Sequence, residues 1–179
     1  DKKIKTIARA LVERLLPYFI DADYQCPEIG IAEDDGASRI ILNNFVNNQL
    51  SAMIQEIPLQ NGEIILGSGD KVQSFTVRVF KVYAPRNQKS KISLVADRRE
   101  VTDTAIHSFV PEFVDEFFEA GSREGEEKDR NYIVKAYVFG PYLDANVSLE
   151  RGGFEFPKVD DLLHPISQFE IEQAVAQIA

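Results

Sequence analysis

Leu143-Asp-Ala-Asn-Val-Ser-Leu-Glu-Arg151, running on through Gly152-Gly153 to Phe154-Glu-Phe156, is the stretch on which the reading of this chain turns. Leu143, Ala145, Val147 and Leu149 alternate with Asp144, Asn146, Ser148 and Glu150, the period of a strand with one buried and one polar face. The pattern stops at Arg151, where two glycines open a flexible loop. A strand that delivers one cation to a loop tip can reach a phosphate oxygen. On spacing alone the simpler reading is a surface arginine in a hairpin turn.

Immediately upstream, Tyr132-Ile-Val-Lys-Ala-Tyr-Val-Phe139 reads as a strong strand, with Gly140-Pro141 bending the chain into the stretch just described. Ile92 to Ala96 is a second, continuously apolar run and therefore a candidate central strand. Asp97-Arg98-Arg99-Glu100 closes it as a charged turn whose local ion pairs contribute little. Thr102 or Asp103 then caps a short turn at 104–108. Pro111, a favoured first helical residue, opens a helix to about Ala120 that buries Val114, Phe117 and Phe118. Gly121 to Arg130 has no apolar anchor and reads as a mobile loop.

Toward the N-terminus, Ile4, Ile7, Ala8, Leu11, Leu15 and Phe19 recur at helical spacing, with Lys5, Arg9, Glu13 and Arg14 facing away. This predicts an amphipathic helix from Lys3 to Ile20, kinked or ended near Pro17. Ile29 and Ile31, the acidic Asp34-Asp-Gly-Ala-Ser38 turn and Arg39-Ile-Ile-Leu42 form a hairpin. A short helix fits Asn43 to Gln55. Strands follow at 63–66 and 74–83, joined by a turn containing Gly67 and Gly69. At the C-terminus Ser167-Gln-Phe-Glu170 is a capping box, with Ile166 and Ile171 placed as a hydrophobic staple for a helix over 166–178.

The 179 residues suffice for one domain with a real core, and 44% hydrophobic with 27% charged residues is ordinary globular composition. A formal net charge of -9 argues against direct nucleic-acid binding, which needs clustered Lys and Arg. One cysteine, Cys26, excludes an internal disulfide framework and fits a reducing, cytoplasmic setting. No apolar run is long enough for a transmembrane helix, so no membrane partner is expected. The sequence opens at Asp1 inside a helical pattern, which reads as a piece of a longer chain.

Catalytic signatures are sparse. Gly67 and Gly69 lack the Lys-Ser/Thr of a phosphate-binding loop, Glu33, Asp34 and Asp35 lack calcium-loop spacing, and no metal site is expected. His107 and His164 have no nucleophile elbow or zinc-protease helix around them. Cys26, before a proline, reads as a small buried hydrophobe. Nothing in the spacing of the carboxylates selects an acid/base pair.

The segment from Leu143 to Arg151 resembles the hydrophobic-Asp-x-Asn-Val-x-x-x-Lys stretch of the MutL family of mismatch-repair ATPases, through Asp144, Asn146 and Val147, with Arg151 at the position of a lysine. Leu94-Val-Ala-Asp-Arg98-Arg-Glu-Val101-Thr-Asp103 is similar to that family's Phe-Val-Asn-Gly-Arg-x-Val-x-Asp strand, in the same order and at comparable separation. Tyr142 to Phe154 also looks like Tyr-Leu-Asp-x-x-Val-x-x-x-Arg-x-x-Phe of a bacterial branch. The resemblance is to the transducer domain of the GHKL ATPases, the superfamily of gyrase, the ninety-kilodalton heat-shock chaperone, histidine kinases and MutL.

That resemblance implies an α+β fold over 1–179, a mixed sheet with packed helices like domain two of ribosomal small-subunit protein five, including its left-handed strand-helix-strand crossover. The lead-in would span 3–42, the core sheet 61–156 and the last helix 166–178. It implies that Arg151 contacts the terminal phosphate of ATP, that Arg98 and Arg99 face a neighbouring domain, and that ATP and Mg are bound mainly by an N-terminal nucleotide domain, the partner of this one, with a homodimer as a further partner. The adenine and magnesium motifs of that superfamily are not in this sequence, so the fragment alone is expected to be inactive. The alternative expectation is a protein-interaction or scaffolding module with no nucleotide role.

Overall fold

The structure, a computed structural model, describes residues 2–33, 36, 38–46, 53–120, 130–150 and 152–179. Arg151, Asp34, Asp35, most of the Gly121–Arg130 stretch and part of the Asn43–Gln55 stretch lie outside the described residues.

Helix α1 spans Lys2–Arg14 and α2 spans Leu16–Ile20, with Pro17 in the first turn of α2. The break at Leu15 is the kink expected of a proline that cannot donate its backbone hydrogen bond. The buried stripe is Ile4, Ala8, Val12, Leu16 and Ile20, an unbroken series of fourfold steps. It is rotated from the predicted stripe. Ile7 is 55% exposed, whereas Arg9, expected to face solvent, is 9% exposed. Arg9 is held there by hydrogen bonds to the Tyr83 and Ala84 carbonyls and by Glu13 at 2.7 Å.

Strands β1 (Gly30–Ala32) and β2 (Arg39–Ile41) form the predicted hairpin. A 3-10 turn at Leu42–Phe45 and strand β3 (Ile54–Ile57) occupy the two ends of the stretch read as a helix. Strands β4 (Glu63–Leu66), β5 (Gln73–Tyr83) and β6 (Lys91–Ala96) form as expected. Gly67 turns the β4–β5 hairpin at φ +90°, where an added Cβ would lie 2.4 Å from the Lys71 carbonyl oxygen. The glycine is therefore a steric requirement of the turn.

After β6 the chain departs from the reading. Asp97 and Arg98 alone make the turn, and β7 (Arg99–Ala105) returns antiparallel to β6, taking up residues read as turn and cap. The short turn expected at 104–108 forms as a 3-10 turn at Ile106–Ser108, but the predicted 111–120 helix is replaced by a 3-10 turn at Pro111–Val114 and by β8 (Phe117–Glu119). Val114 and Phe118 are exposed. Pairing of Phe117 with Tyr132, their rings stacked at 5.5 Å, outweighs the weak helical preference of a short aromatic-rich segment. The helix expected between the parallel strands is thus not formed over 111–120.

Strand β9 (Arg130–Phe139) leads into the stretch around Leu143, and there the strand prediction is overturned: Pro141–Ala145 is a short helix, α3. Pro141 presets the first turn. Leu143 is fully buried, Leu149 fully exposed, and strand pairing is reduced to one bridge, Val147 to Phe154. The apparent alternation never shares a face. Helix α4 (Gln168–Ala176) ends the chain, capped by Ser167, whose side chain accepts from the Glu170 amide at 3.1 Å.

The fold is α+β. A mixed seven-stranded sheet runs β3-β5-β9-β6-β7, with β4 also on β5 and β8 also on β9, and β6 parallel to β9. Phe75, Val77, Val79, Ile92, Leu94, Val134, Ala136 and Val138 face α4, joined by Leu143, Ile166 and Ile171 in the larger core. Phe80, Val95 and Tyr137 face α1 and α2. Period-two alternation of the long central strands thus serves two cores, one on each face.

Candidate functional site

The α1 face of the sheet is not apolar throughout. At its β6–β7 end, Lys91, Ser93 and Lys135 replace aliphatic residues. Ser93 is fully buried and Lys135 is 4% exposed. Above them lies a cleft of about 840 Å³, walled by the end of α1, Tyr18, the loop through Tyr24 and Cys26, and the start of β7. That volume is in the range of small-molecule sites.

Lys91 and Lys135 are partners in the parallel β6–β9 ladder. Lys91 is neutralised: its Nζ lies 2.9 Å from Glu100 and 2.8 Å from Asp103. Residues three apart on a regular strand face opposite sides. A register shift opposite Leu94 and Val95 leaves Val101 as an extra residue in β7 and brings both carboxylates to one ammonium. Burial pushes the Lys91 pKa down, but the Asp103 hydrogen bond and the Glu100 charge outweigh it and hold it above the usual lysine value.

Lys135 has no such support. Its ammonium has no hydrogen bond or ion pair among the described residues. Burial, and then the Lys91 charge, push its pKa below the ordinary lysine value, with the Glu13 and Glu100 charges opposing. Glu13 is committed to Arg9 and to Gln88, each at 2.7 Å. Two residues along the same face of β9, the Tyr137 hydroxyl is buried without a well-formed hydrogen bond. Burial first and the nearby Glu100 charge second push its pKa far up, so it stays a neutral phenol.

The mouth is set by the β6–β7 turn. Asp97 and Arg98 have φ of 48° and 61°, the left-handed pair of a two-residue hairpin turn. Aspartate tolerates that region, whereas an arginine there costs roughly 1–2 kcal/mol. The turn is braced by the Asp97 amide donating to Asp144 Oδ1 at 2.8 Å. The Arg98 guanidinium lies 4.5 Å from the Tyr24 ring centroid and 6.0 Å from that of Tyr18, with Asp21 at 3.8 Å. Its Nε is buried and unpartnered. Arg14 and Arg99 also line the cleft, are exposed, and have no hydrogen-bond or ion-pair partner among the described residues. The lining therefore holds five basic side chains, Arg14, Lys91, Arg98, Arg99 and Lys135, and the carboxylates of Glu13 and Glu100, while Asp103 and Asp21, outside the lining, pair with Lys91 and Arg98.

Of the residues singled out from sequence, Arg98 and Arg99 meet at this cleft, and Arg151 lies outside the described residues. Cys26 is on the wall, partly exposed, not the buried hydrophobe expected. His107 sits in a 3-10 turn, and His164 is exposed with Asp161 at 3.0 Å. Lys135, Lys91, Tyr18 and Tyr24 were not anticipated. The available signal was a lysine in the middle of the apolar run 132–139. Among the described residues no group of three metal-ligating side chains converges, and no helix is long and apolar enough to cross a membrane.

Compared with known proteins, no family model, no curated protein and no solved structure matches this chain.

Proposed function

We propose that the domain binds a small organic anion in the cleft between α1, the Tyr18–Tyr24 loop and the β6–β7 turn. The observation that carries this is charge placed against the trend of the chain. The protein is acidic, with a formal net charge of -9, yet five basic side chains and two carboxylates line one concave site. Lys135 at its floor is buried without a counter-charge, which is costly unless a ligand supplies one. Arg98 and Arg99 offer planar donor forks suited to a carboxylate or phosphate. Tyr18 and Tyr24 give a flat apolar body a surface to pack on.

The test is calorimetric titration with a panel of organic phosphates and carboxylates, on the wild type and on Arg99→Ala and Lys135→Met. Binding that weakens about tenfold or more in each variant and falls with added salt is expected. No binding by any member at millimolar concentration, or binding indifferent to both substitutions, overturns the reading.

A second reading is supported by the contact between Asp97 and Asp144. It joins the two segments that resemble the MutL transducer, next to Arg98 and Arg99 at the same turn. In this reading the phosphate belongs to ATP, held with Mg by a preceding nucleotide domain, and Arg151 adds a further contact. The domain then relays nucleotide state to the rest of a longer protein. ATP turnover by such a longer protein that is unchanged in Arg98→Ala and Arg151→Ala would exclude it. A scaffolding role has no comparable observation in its favour.

A further inference from the structure

We propose that the side-chain amine of Lys135 is a nucleophile that forms an imine with an aldehyde or ketone group of the anion bound in the cleft. This rests on the anion-binding reading and adds a chemical class to it: the ligand is a carbonyl compound carrying a carboxylate or phosphate.

Three observations converge on Lys135. Its position is fixed, because it lies in the centre of β9 between β5 and β6. Its amine faces a cleft large enough for a small molecule, although the residue is only 4% exposed. No carboxylate is assigned to keep it charged, in contrast with Lys91 beside it, which has two. A lysine kept only to hold an anion gains from support of its charge. A lysine that must add to a carbonyl needs its lone pair free, and desolvation beside another cation is a recognised way to free it. The charged groups around it are Lys91 and Glu100 on β6 and β7, and Arg9 and Glu13 on α1, and burial with Lys91 outweighs the two carboxylates.

The step balances without an oxidant or a metal. The Nζ lone pair attacks the carbonyl carbon, and the C=O π pair moves to oxygen, which takes up a proton. The carbinolamine then loses its hydroxyl as water and one amine proton, leaving a C=N bond. The net change is amine plus carbonyl to imine plus water. Arg98 and Arg99 at the mouth hold the anionic end while the carbonyl reaches the floor.

The experiment uses pyridoxal 5′-phosphate, an aromatic aldehyde with a phosphate, as the probe, and pyridoxine 5′-phosphate, which has an alcohol in place of the aldehyde, as the control. The intact chain is incubated with the aldehyde near neutral pH, treated with borohydride, and mapped by peptide mass spectrometry. One reduced adduct is expected at Lys135, formed faster than at any exposed lysine, since burial and the Lys91 charge enlarge its neutral fraction. The alcohol should compete with it, and Lys135→Arg should lose the adduct. The wild-type map decides the matter even if the variant fails to fold. Label spread over exposed lysines with Lys135 unmodified overturns the proposal. If Lys135 is unlabelled while the alcohol still binds in calorimetry, anion binding stands and the imine falls; if neither compound binds and Lys135 is unlabelled, both fall for this ligand class.

Discussion

Lys91 and Lys135 stand directly in register on neighbouring parallel strands, two ammonium groups side by side on one face of the sheet. Like charges in that arrangement repel. The fold answers only one of them, placing Glu100 and Asp103 on Lys91 and leaving Lys135 to the cleft.

The first consequence concerns stability. Lys135→Met should stabilise the protein at neutral pH, by about 1–2 kcal/mol, because a buried and unsupported charge is exchanged for an apolar chain of similar length. The folded pKa of Lys135 lies below its ordinary value of 10.5. Between those two values the unfolded chain binds more protons, so this residue makes wild-type stability rise with pH across that window. The advantage of the Met variant should therefore shrink as pH climbs toward 10.5. Urea denaturation of both proteins at several pH values measures it. An advantage that grows with pH would contradict the assigned direction.

Arg98→Gly separates stability from binding. Glycine relieves the positive φ, roughly 1 kcal/mol in its favour, while the stacking on Tyr24 that is lost is worth about 0.5–1 kcal/mol. The pair with Asp21 at 3.8 Å is partly exposed and adds little. Unfolding free energy should stay within about 1 kcal/mol of wild type while affinity for organic anions falls severalfold. A large loss of stability with binding retained would make Arg98 a structural residue only.

On the other face, Glu172 is 4% exposed, and burial raises its pKa above 4.5 against the opposing hydrogen bonds from Gln168 and Thr104, each 2.8 Å. The folded chain then holds its proton more tightly than the unfolded one. The stabilisation is full below 4.5 and is lost as pH rises through the folded pKa. Glu172→Gln, which can still accept from Thr104, should raise the melting temperature at neutral pH, by about 1 kcal/mol of stability, with the difference vanishing in acid. Thermal scans from acid to neutral pH would show it.

Ser167 caps α4 through its hydroxyl, which accepts from the Glu170 amide and donates to Asp160. Ser167→Ala should cost about 1 kcal/mol, and Ser167→Asp much less, because aspartate is a comparably good cap. Equal losses for the two variants in chemical denaturation would mean that the bond to Asp160, not the cap, is what matters there.

The legible parts were those whose signal is local. The hairpin of β1 and β2, the long strands β5 and β9, the proline break before α2 and the Ser167 cap each follow from a periodicity or from one residue's conformational limits. Strands β7 and β8 were missed because their stability comes from partners elsewhere: β7 from β6, and β8 from the stacking of Phe117 on Tyr132. Residues 143–149 alternate like a strand, but Pro141 and the burial of Leu143 turn the start of that stretch into a helix.

By itself the sequence determined an acidic domain that mixes helices and strands, the apolar character of its central strands, and the presence of Arg98 and Arg99 after a core strand. Only the tertiary structure decided the site. The side chains at its floor and mouth come from α1, the loop after α2, the β6–β7 hairpin and β9, and nothing local to any of them reveals that the others are near. Lys135 reads in sequence as one polar residue in an apolar run. It becomes a buried, uncompensated amine only when β9 is laid between β5 and β6, beneath α1, with Lys91 beside it and both nearby carboxylates already bound elsewhere.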